Sequence, residues 1–371
     1  FFYRAAGDRL GILAGFPWFG EWGRDVFIAL PGLSIARGRL ELCAEVLSDA
    51  VPFLRRGLLP NIYAATVADS HYGSCDAALW FALAVQRYAD AGGCADRVRD
   101  EYLPALLGIA EHYLAGTDLG LAVDADGLLL AGGPDLNATW MDAQTSKGPV
   151  TPRQGLPVEI QALWYALLAF LVERGEARFA DPATRCRQAF VARFWLAGEE
   201  RLADRFHAGL ADPKVRPNML VAAALARSPL SRSQRAGVVA AAEALLVTPR
   251  GLRTLSPEDP DYRGRYGGGL EARDGAYHQG TVWPWLAGFY VEAALAAATK
   301  ARLPATRRRL LDWLCGMEPE LDRAGIEHIS EVFDGDHPQR PGGTFAQAWN
   351  SGELLRALAL VTDGAAVGNE A

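Results

Sequence analysis

The sequence predicts an all-α fold, a toroid of paired helices with long functional loops gathered at one end. Three observations carry this. Apolar residues recur at three- and four-residue spacing through most of the 371 residues. The helical runs follow one another with short connections on one side and long ones on the other. Strand signals are few and short, and none alternates with the helices as a parallel sheet would require. The expected helices span 25–37, 39–55, 74–91, 97–115, 157–174, 180–196, 216–227, 231–246, 280–299, 303–322 and 345–361. Ser74, Asp181-Pro182 and Ser231 mark starts, and the glycines of 91-AGG-93 and 115-AG-116 mark ends. Segments 120–133 and 251–255 are expected to form hairpins or extended loops. The helix count falls one short of six pairs.

Composition narrows the function classes. Half of the residues are hydrophobic, enough for a sizeable core. Net charge is −7 with no basic run, which argues against nucleic acid as a partner. The five cysteines (Cys43, Cys75, Cys94, Cys186, Cys315) are scattered without a C-x-x-C pair, as expected of free thiols in a reducing cytoplasm. No metal-ligand spacing appears, so neither a metal nor another cofactor is expected. No apolar run reaches membrane-spanning length. The chain begins at Phe1 and enters a motif almost at once, as expected of a single domain, 1–371, forming the C-terminal part of a longer protein.

The long loops, near 11–24, 56–73, 116–156, 247–279 and 323–344, share a composition. Six of the ten tryptophans (Trp18, Trp22, Trp140, Trp283, Trp285, Trp349) fall in or beside them. Gathered near Arg, Asp and Glu, they point to a cleft in which flat sugar faces stack on aromatics. Two segments, 139-TWMDA-143 and 329-ISEVFDG-335, each carry a carboxylate among apolar neighbours that can raise its pKa by desolvation. A glycosidase needs such a pair, one acid for the leaving oxygen and one base for water. The same residues also read as helix caps or ion-pair partners. Arg24 and Asp25, at a helix mouth in 16-FPWFGEWGRDVFIALPGL-33, suit either a clamp on vicinal hydroxyls or a local salt bridge. Glu159 falls in a first helical turn, where a carboxylate is favoured in any case. The glycines 267–269 imply a flexible or closely packed loop, and they lack the spacing of a dinucleotide fingerprint. His278, beside Tyr277 and Gln279, reads better as a hydrogen-bonded or substrate-contacting residue than as a base. Asp334 and Asp336 read as a glycine turn, not a calcium loop. No serine lies in a nucleophile elbow.

Taken in order, these blocks resemble the amylo-α-1,6-glucosidase domain of glycogen debranching enzymes. They comprise PWF-x-x-WGRD with ALPGL, TWMDA with PVTPR, PVE-x-x-ALWY, AYHQGTVWPW, and SE-hydrophobic-FDG with AQAW. The resemblance covers nearly the whole chain. It implies an (α/α)6 barrel and hydrolysis of α-1,6-linked glucose with inversion. By motif position, Asp142 matches the general acid and Glu331 the general base, while Arg24 and Asp25 match the pair gripping the nonreducing glucose. Trp18, Phe19, Trp22, Trp140, Tyr277, His278, Gln279 and Trp283 fall where the family lines its cleft, and Glu159 matches a further family position. The implied partner is glycogen or a branched α-glucan. Gln161, where Asn is common, and Cys75 depart from the pattern. The alternatives are a glucoamylase-like α-1,4 exo-hydrolase, a catalytically silent glycogen-binding domain, and an epimerase or isomerase using His278 with His328 or His337.

Overall fold

The computed structural model describes residues 1–133, 138–325 and 327–362; residues 134–137, inside the loop that leads to TWMDA, and Ile326 lie outside them. The described helices are α1 (Gly23–Leu33), α2 (Leu40–Ala50), α3 (Ala77–Asp90), α4 (Ala95–Arg97), α5 (Leu103–Ala115), α6 (Val158–Glu173), α7 (Ala180–Phe194), α8 (Met219–Ala224), α9 (Arg232–Leu245), α10 (Leu270–Tyr277), α11 (Leu286–Ala297), α12 (Leu303–Cys315) and α13 (Ala348–Thr362). A π-helical turn, Val98–Tyr102, joins α4 to α5. Local chemistry explains several ends. Ser231 accepts from Gln234 N while the Gln234 side chain returns to the Ser231 backbone, a reciprocal cap on α9. Pro104 and Pro304 occupy first turns, where no N–H is needed. The chain enters α3 at Asp76, whose carboxylate is engaged by Arg24 and does not cap, while Ser74 Oγ accepts from Ala77 N at 3.4 Å.

Five helices divide from the rest by burial, and α13, buried along about half its length, closes a circuit with them. Every residue of α1 is buried, and α3, α6, α8 and α11 are buried along most of their length, as expected of helices that are apolar nearly all round. They contact in sequence: α1 packs on α3, α3 on α6, α6 on α8, α8 on α11, α11 on α13, and α13 returns to α1. Five of the others lean on this circuit with one apolar stripe each: α2 on α3, α5 and α7 on α6, α9 on α8 and α11, α12 on α11 and α13. One continuous apolar core runs through it.

The closure between α1 and α13 is the tightest approach. A Cβ on Gly32 would fall 1.6 Å from the Gly352 carbonyl oxygen, and one on Gly352 would fall 2.5 Å from that of Ala29. Neither backbone can yield without parting the helices. Gly32→Ala is therefore expected to cost at least about 1–3 kcal/mol. An unchanged urea midpoint would show that the two helices do not meet this closely.

Strand structure is more extensive than the two anticipated segments, but it stays short and antiparallel. Ala122–Val123 pairs with Leu129–Leu130. A five-stranded sheet joins Val247–Thr248, Gly251–Arg253, Val282–Trp283, Val332–Phe333 and Pro341–Gly342. Ala346–Gln347 pairs with Gly15–Phe16, bringing two segments far apart in sequence together above α1 and α13. The main departure from expectation is α10. The Gly267–Gly269 run is a loop, as expected, but it leads into an unanticipated exposed helix with Gly269 at its N-cap. Among the described residues no helix is long and apolar enough to cross a membrane, and no group of His, Cys, Asp and Glu is placed to hold a metal.

Candidate active site

One cleft of about 610 Å³ lies at the N-terminal ends of α1 and α13, bordered also by α10 and by the loops that carry Asp142 and Glu331. Its floor comes from the first turn of α1, where Arg24 and Asp25 are 3 % and 6 % exposed. They are not each other's ion-pair partners. Arg24 Nε donates to Asp76 Oδ2 at 2.6 Å and Nη1 to Asp142 Oδ2 at 3.1 Å, while Nη2 makes no hydrogen bond within the protein. Burial, with Asp142 and Glu331 nearby, pushes the Asp25 carboxyl up to about 7 against the pull of Arg24.

Asp142 follows the buried Trp140-Met141 pair. Trp140 Nε1 donates to Asn218 Oδ1 at 2.8 Å, and Asn218 Nδ2 donates to Asp204 Oδ1 at 2.7 Å, so the loop is anchored from below. The Asp142 side chain keeps 31 % exposure, enough to reach a bound molecule. Burial raises its pKa, and the Arg24 guanidinium opposes the rise. Glu331 lies beside the short strand Val332–Phe333. Its Oε1 accepts from the Tyr277 hydroxyl and its Oε2 from Thr344 N, the latter at 2.7 Å. Burial raises this carboxyl also, opposed by those two donors. Gly343, at φ 70°, is required here, since a Cβ would meet Glu331 Oε2 at 2.2 Å.

Aromatic side chains form the walls. His278 stacks on Trp283 at 5.6 Å and meets Trp140 edge-on at 5.1 Å. Burial, with Arg216, Arg24 and Arg153 around it, pushes the imidazole pKa well down, so His278 is neutral; neither ring nitrogen bonds within the protein. Phe19 and Trp22 meet edge to face, and Trp18, 69 % exposed, stands at the rim.

Of the residues singled out by sequence, Trp18, Phe19, Trp22, Arg24, Asp25, Trp140, Asp142, Tyr277, His278, Trp283 and Glu331 all border this cleft. Glu159 and Gln279 do not. Glu159 accepts from Arg153 Nη2 at 2.6 Å, in a buried cluster with Asp204, and this network holds it below the floor. Gln279 accepts from Arg216 and donates to the Val150 carbonyl, on the far side of α10. Gln161 clamps both polar groups of the Leu129 backbone in the core, and Trp285 lies behind Trp140 and Trp349. Trp349, one of the six tryptophans expected at a cleft, also borders it. Sequence reasoning missed Tyr266, Leu270, Arg273 and Asp274 from α10 and its approach, and Gln347, which lay in the quoted AQAW block. The α10 residues gave no signal, because three glycines mask the short helix behind them.

A model of the family described as amylo-alpha-1,6-glucosidase matches residues 2–356. A glycogen debranching enzyme from Saccharomyces cerevisiae is 27 % identical over 382 aligned positions, covering 76 % of this chain and 25 % of the yeast protein. The chain thus spans about a quarter of that relative. Among solved structures, an uncharacterized conserved protein of Thermus thermophilus superposes with a TM-score of 0.66 at 15 % identity, covering 95 % of this chain and 96 % of its own. A GH63 mannosylglycerate hydrolase of the same organism, in complex with Tris and D-glycerate, gives 0.63 at 14 % identity, with 94 % and 95 % covered. These two likenesses speak to the fold, which they share with this chain across nearly its whole length. The family match, from residue 2 to residue 356, is what decides membership: the chain belongs to the amylo-alpha-1,6-glucosidase family.

Proposed function

We propose that this chain is an inverting glycoside hydrolase that removes glucose from α-1,6 branch stubs of a glycogen-like polysaccharide. One observation carries the reading: two desolvated carboxyls, Asp142 and Glu331, face one aromatic-walled cleft with different partners. Asp142 is held by a cation that orients it, and Glu331 by two neutral donors. Asp142 protonates the glycosidic oxygen as the C–O bond breaks. Glu331 takes a proton from water as that water's oxygen bonds to the anomeric carbon on the opposite face. Arg24 Nη2, the His278 nitrogens, Gln347 Oε1 and the Trp349 indole N–H have no partner within the protein, and they suit the hydroxyls of one glucose.

The family match and the yeast debranching enzyme support a branched glucan as substrate. The helix circuit and the shared fold support an (α/α)6 barrel. Five unpaired cysteines suit a reducing cytoplasm.

The test is a branched dextrin bearing single α-1,6 glucose stubs, with the released anomer followed by NMR. β-Glucose is expected. α-Glucose would mean retention and overturn the roles of Asp142 and Glu331. Faster release from linear maltooligosaccharides would favour the α-1,4 exo-hydrolase, and no release by folded protein would favour a binding domain.

A further inference from the structure

We propose that Asp76 is a positioning residue for the general acid, acting through Arg24 on Asp142. The proposal rests on the reading of Asp142 as the acid and deepens it. Asp76 is 1 % exposed at the start of α3, far in sequence from either residue it serves. The Arg24 guanidinium divides its donors between two carboxylates: Nε to Asp76 at 2.6 Å and Nη1 to Asp142 at 3.1 Å. The bond to Asp76 is the shorter and wholly buried one. Asp76 therefore fixes the plane of the guanidinium, and the plane fixes where the Asp142 oxygen can lie. Trp80, one turn along α3, donates to the same Asp76 oxygen at 3.3 Å, which steadies the carboxylate. The third nitrogen of Arg24 is left without a protein partner, on a side chain that borders the cleft.

The arrangement also sets charge. Asp142 is faced by Arg24 and Asp25 of α1, by Asp76 of α3, and by Tyr277 at the end of α10. Arg24 is the cation among them. Alone it would favour the Asp142 anion and strip the acid of its proton. Asp76 offsets that cation and also repels the Asp142 anion directly, so both effects keep the proton on Asp142.

Asp76→Asn preserves size and removes the charge. Both effects then have one sign: Asp142 loses its proton at lower pH, and the alkaline limb of kcat/KM moves down the pH scale. Misplacement of Asp142 should lower kcat on the order of 10²-fold, with KM changed little. A fall in kcat without a shift of the alkaline limb would overturn the proposal, since space-filling at the start of α3 would do the same.

Asp76→Asn leaves Arg24 with one buried partner fewer and could fail to fold. The double variant Arg24→Gln/Asp76→Asn removes both charges of that pair and is compared with Arg24→Gln alone. Equal kcat in the two, each at its own pH optimum, supports positioning through Arg24, the direct repulsion remaining only as a shift of the alkaline limb; a further loss of kcat in the double variant, multiplying the first, overturns it. Asp142→Asn, assayed alongside on the branched dextrin, separates the two levels. If Asp142→Asn keeps wild-type kcat, the catalytic reading itself has failed. If it is inactive while Asp76→Asn keeps the wild-type profile, only the role of Asp76 is lost.

Discussion

Asp142→Asn and Glu331→Gln are each expected to lower kcat on the order of 10²–10⁴-fold while leaving the protein folded. The fold is spared because neither side chain carries the core. Arg24 keeps Asp76 when Asp142 is neutralised, and the glutamine amide remains beside Tyr277 and Thr344 N. The pH dependence separates the two roles. If Glu331 is the base and Asp142 the acid, as proposed, activity requires Glu331 ionised and Asp142 protonated, so Glu331 sets the acid limb and Asp142 the alkaline limb. Burial raises both carboxyls, and both limbs should lie above where freely solvated side chains of the same kind would put them. Residual activity of Glu331→Gln should lack the acid limb, and that of Asp142→Asn the alkaline one. Asp25, pushed up to about 7, is the control: its variant should weaken substrate binding and retain both limbs. If the Asp25 variant instead loses a limb, the roles must be reassigned.

The largest loss of stability is expected from Glu353→Leu. Inside the helix circuit, Arg87 of α3 and Arg356 of α13 share Glu292 of α11 and Glu353 of α13. Arg356 is bidentate on Glu353 at 2.8 and 2.6 Å, and both guanidiniums lie over the Phe289 ring, at 5.2 and 5.3 Å. Glu353 has 0 % side-chain exposure. Removing it leaves two cations sharing one carboxylate, and breaking a buried pair in this way costs about 3–5 kcal/mol. The denaturation midpoint should fall sharply. Catalysis by the folded fraction should change far less, because Glu353 does not border the cleft, although it lies only one turn of α13, about 6 Å, beyond Trp349, which does. A midpoint within error of wild type would show that the charges are solvated. In the wild type, burial works against ionisation of Glu292, but Arg356 and Arg87 outweigh it and hold its pKa below 4.5. A depressed carboxylate stabilises the fold fully above its unfolded value. Its contribution is lost only as pH falls below 4.5 and through the folded value.

Most helix positions were legible because the inner helices other than α13 are apolar nearly all round and the longer outer ones striped, and Ser231 announced its own cap. Asp142 and Glu331 stood out because their loops mix carboxylates with Trp, Phe and Met. What lay beyond reach was pairing across distance. Arg24 next to Asp25 reads as a local ion pair, yet its partners are Asp76 and Asp142, brought in by other helices. Glu159 reads as a helix-mouth carboxylate facing the site, yet Arg153 turns it beneath the floor. Helix α10 escaped notice because a short exposed helix behind three glycines has no apolar stripe to betray it.

The seam between Gly15–Phe16 and Ala346–Gln347 has a consequence for the order of events during synthesis. Arg24 and Asp142 emerge from the ribosome well before Glu331, and the strand and helix that hold Glu331 against them emerge later still. No nascent chain that stops short of them therefore holds both halves of the proposed acid–base pair, however much of it has already folded. Contacts this far apart also make closure the slow step of folding, since the longest loop must be drawn in before α13 can dock. Until then α1 exposes the apolar face that α13 covers, and the chain is at its most vulnerable to aggregation in that interval.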